Sequence, residues 1–212
     1  MAAGRGRNGN RNGHAEPPDR DRIVDAALAL IAARGWRNVS LAAVANEANL
    51  PILEVYRCFP SRTAILCGLL RRVDEAVLAA PLDTEPEEKP RDRVFDLLMR
   101  RFDALYSHRA ALVALRRDLA TDPCTALALS QTLLRSIRLM LDAAEIVSHG
   151  VGGAIAVRLT AACYLAAAHT WSRDESPDLA PTMAALDRRL RGIERWLVPR
   201  AQSEGGIAQG AG

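Results

Sequence analysis

An all-α fold follows from three features of this 212-residue chain. Hydrophobic residues make up 49% but aromatics only 4%, with Ala, Leu and Arg abundant, a composition that favours helix over sheet. Apolar positions recur at spacings of three and four through nearly every stretch that has something to bury. Most of the prolines and glycines fall between those stretches, where helices begin and stop. Charged residues at 25% and a formal net charge of +3 fit an ordinary soluble domain, and they exclude wholesale disorder, a collagen or coiled-coil fibre, and a nonspecific nucleic-acid coat. A nucleic-acid surface, if present, must be local.

Residues 1–18 are Gly, Asn, Arg and Pro with little to bury, so a flexible arm is expected, either merely solvated or touching a DNA groove. From Asp19 the apolar set Ile23, Val24, Ala27, Leu28 and Ile31 forms one helix face, and Gly35 is the expected stop. Ser40 is placed to cap a short helix, LAAVANEA. Asn49-Leu50-Pro51 breaks it, and Pro51 suits the first turn of a second short helix, ILEVYRCF, ending at Pro60. Ser61 then caps a longer helix whose apolar face runs from Ile65 to Val77.

Residues 81–90, PLDTEPEEKP, mark the clearest internal boundary, with three prolines among acids. Beyond it the sequence predicts further helices. Phe95, Leu98, Phe102, Leu105 and Tyr106 share a face; Ala111 to Leu119 follow; Pro123 opens a helix carrying Leu127, Leu134, Ile137 and Leu141. Gly150, Gly152 and Gly153 mark a turn before an Ala-rich inner helix over residues 154–173. The last helix places Leu179, Met183, Leu186, Leu190, Ile193 and Leu197 in a heptad-like seam, which predicts a dimer interface. The tail 199–212 is expected to be disordered.

The order AALALIAARGW, VSLAAVANEANL, PILEVYRCF and PSRTAIL resembles the TetR family of transcriptional regulators. That resemblance implies a helix-turn-helix DNA-binding domain over residues 19–66 and a helical ligand-binding and dimerisation domain over residues 67–198. It implies a homodimer on a double-stranded DNA operator, released by a small apolar ligand. Carried over by position, Ser40 would meet phosphate through its hydroxyl, or serve only as a cap. Tyr56 would pack into the three-helix core and offer its hydroxyl to phosphate, and Phe59 would close the helix end. Arg62 stands where the family usually has Lys and would bind phosphate, with Arg57 nearby.

The chain departs from that pattern over Pro51, Ile52, Leu53, Glu54 and Val55, the side expected to enter the groove, which is apolar with one acid instead of polar. Ile52 or Leu53 suits a thymine methyl and Glu54 a cytosine amino group, although a carboxylate near phosphates is disfavoured. Asn49 replaces the turn glycine and tolerates its left-handed geometry. Residues 21–73 hold seven Arg against four acids, a net of +3, modest for a DNA-binding unit.

A second resemblance points elsewhere. Trp171 to Leu190, through Trp171, Asp174 to Asp178, Thr182 and Leu186 to Arg189, is similar to the end of a TetR-fold lipid-binding protein of ubiquinone biosynthesis that does not read DNA. The local pattern is equally a helix start capped by Ser176 or Asp178. Phe102, Tyr106, Met140, Tyr164 and His169 are the candidate pocket residues, being bulky or polarizable groups on the middle helices. Trp196 beside Leu197 and Val198 suits an interface between subunits.

No catalytic or phosphate-loop motif appears, so the expectation is a non-enzymatic protein without cofactor or metal. Cys58, Cys67, Cys124 and Cys163 lie far apart, which indicates neither zinc nor a disulfide framework. No apolar run approaches the ~18 residues of a membrane span, and a cytoplasmic location without integral membrane insertion is expected.

Overall fold

The computed structural model describes residues 17–80 and 88–199, with side chains described from residue 19 onward. Most of the expected arm, most of the acidic Pro-rich boundary and residues 200–212 of the expected tail lie outside the described residues. Among the described residues the regular structure is helical, with nine α-helices and two 3-10 turns.

Helix α1, Pro17–Arg34, starts two residues earlier than the sequence predicts. Prolines suit a first helical turn because their missing N–H has no partner there anyway. Gly35 ends the helix at φ +76°, and a 3-10 turn, Trp36–Asn38, follows that the periodicity does not announce. Ser40 caps α2, Leu41–Glu47, accepting a hydrogen bond from Ala43 N at 3.1 Å. Asn49 takes the left-handed turn at φ +51°, as expected of a residue that tolerates it. Pro51 then stands at the N-cap of α3, Ile52–Cys58, not inside its first turn. Ser61 caps α4, Arg62–Ala79.

The larger part comprises α5, Pro90–Tyr106; α6, Arg109–Leu119; α7, Pro123–Ala143; α8, Gly150–Trp171; and α9, Ala180–Ile193. Helix α8 starts four residues earlier than predicted and takes the glycines into its first turn. At Gly153 a Cβ would lie 2.3 Å from the Ser148 carbonyl carbon, so only glycine lets the preceding loop close over the helix. Leu127 is exposed on α7, and the buried side runs instead through Leu133, Ile137, Met140 and Leu141. Helix α8 is long and apolar enough in composition to cross a membrane, which corrects the expectation that no such run exists. Its Ala and Gly content produces that resemblance. Here it packs against α7 and α9.

Buried residues of the first four helices and of the later five form one continuous apolar cluster, reaching from Ile23 to Leu197. Helix α1 packs on α2, α4 and α6, while α4 also packs on α5 and α7. Inside the joint, the fully buried Arg101 bonds the Asp74 carboxylate of α4 and, at 2.7 Å, Ser136 of α7. Its guanidinium lies 5.4 Å from the Tyr164 ring of α8. A buried charge with its partner in place ties four helices into one unit; without that partner it would be strongly destabilising.

Candidate nucleic-acid interface and ligand cavity

Helices α2 and α3 stand as a helix-turn-helix, and α3 is only seven residues long. Only Val55 and Cys58 of that helix point inward, so Ile52, Leu53, Glu54, Tyr56 and Arg57 are all exposed, with Pro51 beside them. Ser40 is exposed at the start of α2 while serving as its cap. Tyr56 at 55% exposure corrects the expected core-packing role, leaving its ring and hydroxyl outside. Phe59 takes the buried position. A Cβ on Gly68 of α4 would lie 2.5 Å from the Phe59 ring, so glycine makes the room that ring occupies.

Arg62 points back into the protein. It donates to the carbonyls of Trp36 and Val39, both at 3.3 Å, lies over the Trp36 ring at 4.6 Å, and pairs with Asp122 at 3.7 Å. These internal acceptors give the guanidinium a positioning role in the head, while its side chain keeps 38% exposure.

Trp36 is the hub of that arrangement. Its backbone N–H donates to Asp118 Oδ2 at 2.6 Å and its indole N–H to Asp122 Oδ2 at 3.1 Å. Arg37 donates to the Thr121 hydroxyl, through Nε at 3.0 Å. A Cβ on Gly35 would come within 2.9 Å of Asp118 Oδ2, so that glycine supplies both the positive φ and the space for the carboxylate. Asp122 also caps α7 through Thr125 N at 3.1 Å. Hydrogen bonds from Thr125 and Trp36 hold its carboxyl below the usual range. The corner between α6 and α7 therefore grips the turn that leads into the helix-turn-helix. Sequence reasoning missed Trp36, Asp118 and Asp122; the readable signal was Asp122 directly before Pro123, a cap followed by a helix-starting proline.

The same two helices wall an apolar cavity of about 300 Å³. Leu66, Leu69 and Leu70 of α4, Leu112 and Leu115 of α6, Leu129 and Leu133 of α7, and Phe102, Tyr164 and Trp171 line it. The Phe102 ring stacks with Tyr164 at 4.9 Å and with Trp171 at 5.7 Å, forming a rigid aromatic wall. Of the expected pocket residues, Phe102 and Tyr164 are in that wall. Met140 is buried outside it, Tyr106 is half exposed at the end of α5, and His169 is at the surface beside a neighbouring polar cleft. Those three positions correct the expectation. Tyr106 faces out because the apolar side of α5 turns through Leu98, Phe102 and Leu105 and ends there.

The expected terminal seam also turns inward. Leu179, Leu186, Leu190, Ile193 and Leu197 are buried within the chain, where α9 packs on α8 and α5, and Met183 alone of the set is exposed. Intrachain packing thus occupies the residues assigned to a dimer interface. Asp174 sets the helix in place. Its Oδ2 accepts from Thr182 N at 3.0 Å and from the Thr182 hydroxyl at 2.6 Å, and its Oδ1 accepts from Ser176 N and Oγ. Burial opposes the charge on Asp174, but the hydrogen bonds from Ser176 and Thr182 prevail and hold its carboxyl at about 2. The capping expected of Ser176 or Asp178 thus falls chiefly to Asp174, with Asp178 accepting from Ala180 N at 3.2 Å. Trp196 is partly buried against the chain's own core rather than presented outward.

A helix-turn-helix head joined to an all-helical body with an apolar cavity defines the architecture. Residues 23–67 match the family described as bacterial regulatory proteins, tetR family. A stretch of 64 residues is 38% identical to the HTH-type transcriptional repressor KstR of Rhodococcus jostii (strain RHA1), covering 30% of this chain and 30% of that one. The fold is similar to a TetR transcriptional regulator from Nitrosomonas europaea, with a TM-score of 0.66 at 23% identity over 85% of this chain and 99% of the other. A TetR regulator from Rhodococcus sp. RHA1 gives 0.59 at 22% identity over 84% and 97%. The family match thus covers the helix-turn-helix region, and the likeness to the solved regulators extends to the fold of the remaining helices.

Proposed function

We propose that this protein is a homodimeric transcriptional repressor whose hold on an operator is governed by a small apolar ligand in the α4–α8 cavity. The carrying observation is that the α6–α7 corner serves both ends: its helices wall the cavity, and its Asp118 and Asp122 hold Trp36 of the head. A ligand that prefers one setting of α6 and α7 would thereby prefer one setting of the head, and the head position would follow as a shift in population. KstR is named a repressor, which favours that sign of regulation. In this reading Ser40, Tyr56 and Arg57 meet the phosphate backbone, and Pro51, Ile52, Leu53 and Glu54 face the groove, with Ile52 and Leu53 on thymine methyls. Arg62 positions the head and does not touch DNA.

The dimer surface is assigned to the outward side of α8 and α9. Helix α8 is apolar enough for a bilayer, yet Val151 and Leu165 stand exposed on it, with Met183 exposed on α9. A second copy would cover these residues, since exposed apolar side chains on paired helices are a usual association surface, with Leu165 also reaching the cavity mouth.

The alternative reading, a TetR-fold lipid carrier that assists ubiquinone synthesis without reading DNA, draws on the exposed apolar trio Ile52, Leu53 and Tyr56 and on the inward turn of Arg62. Binding of the purified protein to fragments of its own genomic neighbourhood, at two salt concentrations with excess competitor DNA, separates the two. A competitor-resistant, salt-sensitive shift supports the repressor. Absence of any shift, with lipid copurifying, overturns it in favour of the carrier.

A further inference from the structure

Between the apolar cavity and the polar cleft beside it stands a cluster of positive charge that the packing does not account for, with Arg116 in the cavity wall and His169 and Arg173 in the cleft. Arg116 of α6 lies in the cavity wall, and its guanidinium is 2.7 Å from His169 Nδ1 on α8. Arg173, just past the end of α8, is 2.5 Å from the opposite nitrogen, Nε2, of the same ring. A neutral imidazole has one acceptor nitrogen and one N–H, and arginine can only donate. His169 can therefore satisfy one of the two guanidinium groups and must oppose the other. Protonation would make matters worse, giving donors on both nitrogens. Arg173 foremost, then desolvation and Arg116, push the imidazole below its ordinary range, which disfavours its protonation.

Among the described residues no carboxylate comes within ion-pair distance of Arg116 or Arg173. Glu175 shares the polar cleft beside His169 without pairing with either, and Asp174 is committed to Ser176 and Thr182. Arg109 adds a third guanidinium close by, donating to the Asp174 carbonyl and lying 5.9 Å from the Trp171 ring. The cluster thus holds more donors than acceptors, directly beside an opening lined with hydrocarbon.

We propose that the cavity takes an anionic amphiphile, a fatty carboxylate, with its hydrocarbon body against Phe102, Tyr164 and Trp171 and its carboxylate on Arg116 and Arg173. A carboxylate supplies the acceptor oxygens that His169 lacks, and two arginines offer it charge-assisted bonds in forked geometry. The cavity volume of about 300 Å³ lies at the small end of ligand pockets, which suits a single medium-length chain. The inference rests on the reading of this cavity as the ligand site and specifies the chemistry it selects.

The test is calorimetric titration of the full chain, without DNA, with decanoate, decanol and decyltrimethylammonium, which share a tail and differ in charge. Decanoate is expected to bind about tenfold or more tightly than decanol, with the cationic probe weakest. In R116Q and R173Q, decanoate should fall toward the decanol affinity while decanol stays unchanged, with thermal melts confirming the fold. Equal binding of decanoate and decanol, or an unchanged ratio in both variants, overturns the proposal and leaves the cavity as a ligand site. Failure of all three probes overturns both, and operator binding measured separately without any probe keeps the DNA-binding reading distinct.

Discussion

Helices α3 and α9 both carry apolar residues at helical spacing, and the fold sends them in opposite directions. On α9, Leu186, Leu190 and Ile193 are buried against α8 and α5. On α3, Ile52, Leu53 and Tyr56 face out, each more than half exposed. Length accounts for part of the contrast. A helix of 14 residues has a full inner face to cover, whereas seven residues provide two inward positions, taken by Val55 and Cys58. The starts differ as well. The buried carboxylate of Asp174 fixes the first turn of α9, while Pro51 begins α3 without a side-chain cap. An apolar pattern therefore reports that a helix has a face to cover, and the neighbouring elements decide whether this chain or another molecule covers it.

The largest expected effect lies on the inward side. Replacing Leu186 with Asp places an unpaired charge in a fully buried site and should cost about 3–5 kcal/mol, seen as loss of cooperative unfolding or a much lower denaturant midpoint. A folded variant that merely dissociates into monomers would instead put the Leu186 face of α9, not its outward side, at the subunit interface. Next, Asp174→Ala removes the cap of α9 and should cost about 1–2 kcal/mol in urea unfolding. The same carboxylate predicts an acid dependence. Its folded value of about 2 lies below the unfolded value of about 3.9, so its stabilisation is complete above that pH and is lost as pH falls toward 2. Thermal melts across that window should show a smaller acid-induced fall in Asp174→Ala than in the parent chain.

The smallest stability effect belongs to the outward side. Ile52→Ser and Leu53→Ser should change stability by no more than about 0.5 kcal/mol, because each residue stays more than half exposed on folding. If they face thymine methyls, each should still weaken operator binding in a mobility-shift titration. A stability loss as large as that of a core substitution would show that α3 is covered within this protein, which would break the comparison.

Much of this architecture was legible in the sequence. The caps at Ser40 and Ser61, the stop at Gly35 and the turn at Asn49 follow from local backbone chemistry, and each stands where that chemistry puts it. The cavity was legible only in part. Phe102 and Tyr164 line it, but periodicity cannot tell a cavity wall from plain core, as with Met140, or show that the apolar stripe of α5 ends before Tyr106. The grip of Asp118 and Asp122 on Trp36 joins residues more than eighty positions apart, and no local pattern carries such a contact. Arg62 shows the same limit from another side. The family resemblance suggested phosphate for it, but the Trp36 ring and the Asp122 carboxylate beside it are visible only in three dimensions.

The chain has three tryptophans, and two of them stand at opposite ends of the proposed communication line. Trp171 is part of the cavity wall, and Trp36 is clasped by the corner that holds the head. Indole emission responds to nearby charge and to contact with water, so the protein carries its own pair of optical gauges, one for occupancy and one for release. Comparing W36F with W171F during a titration would time the two events without any attached dye.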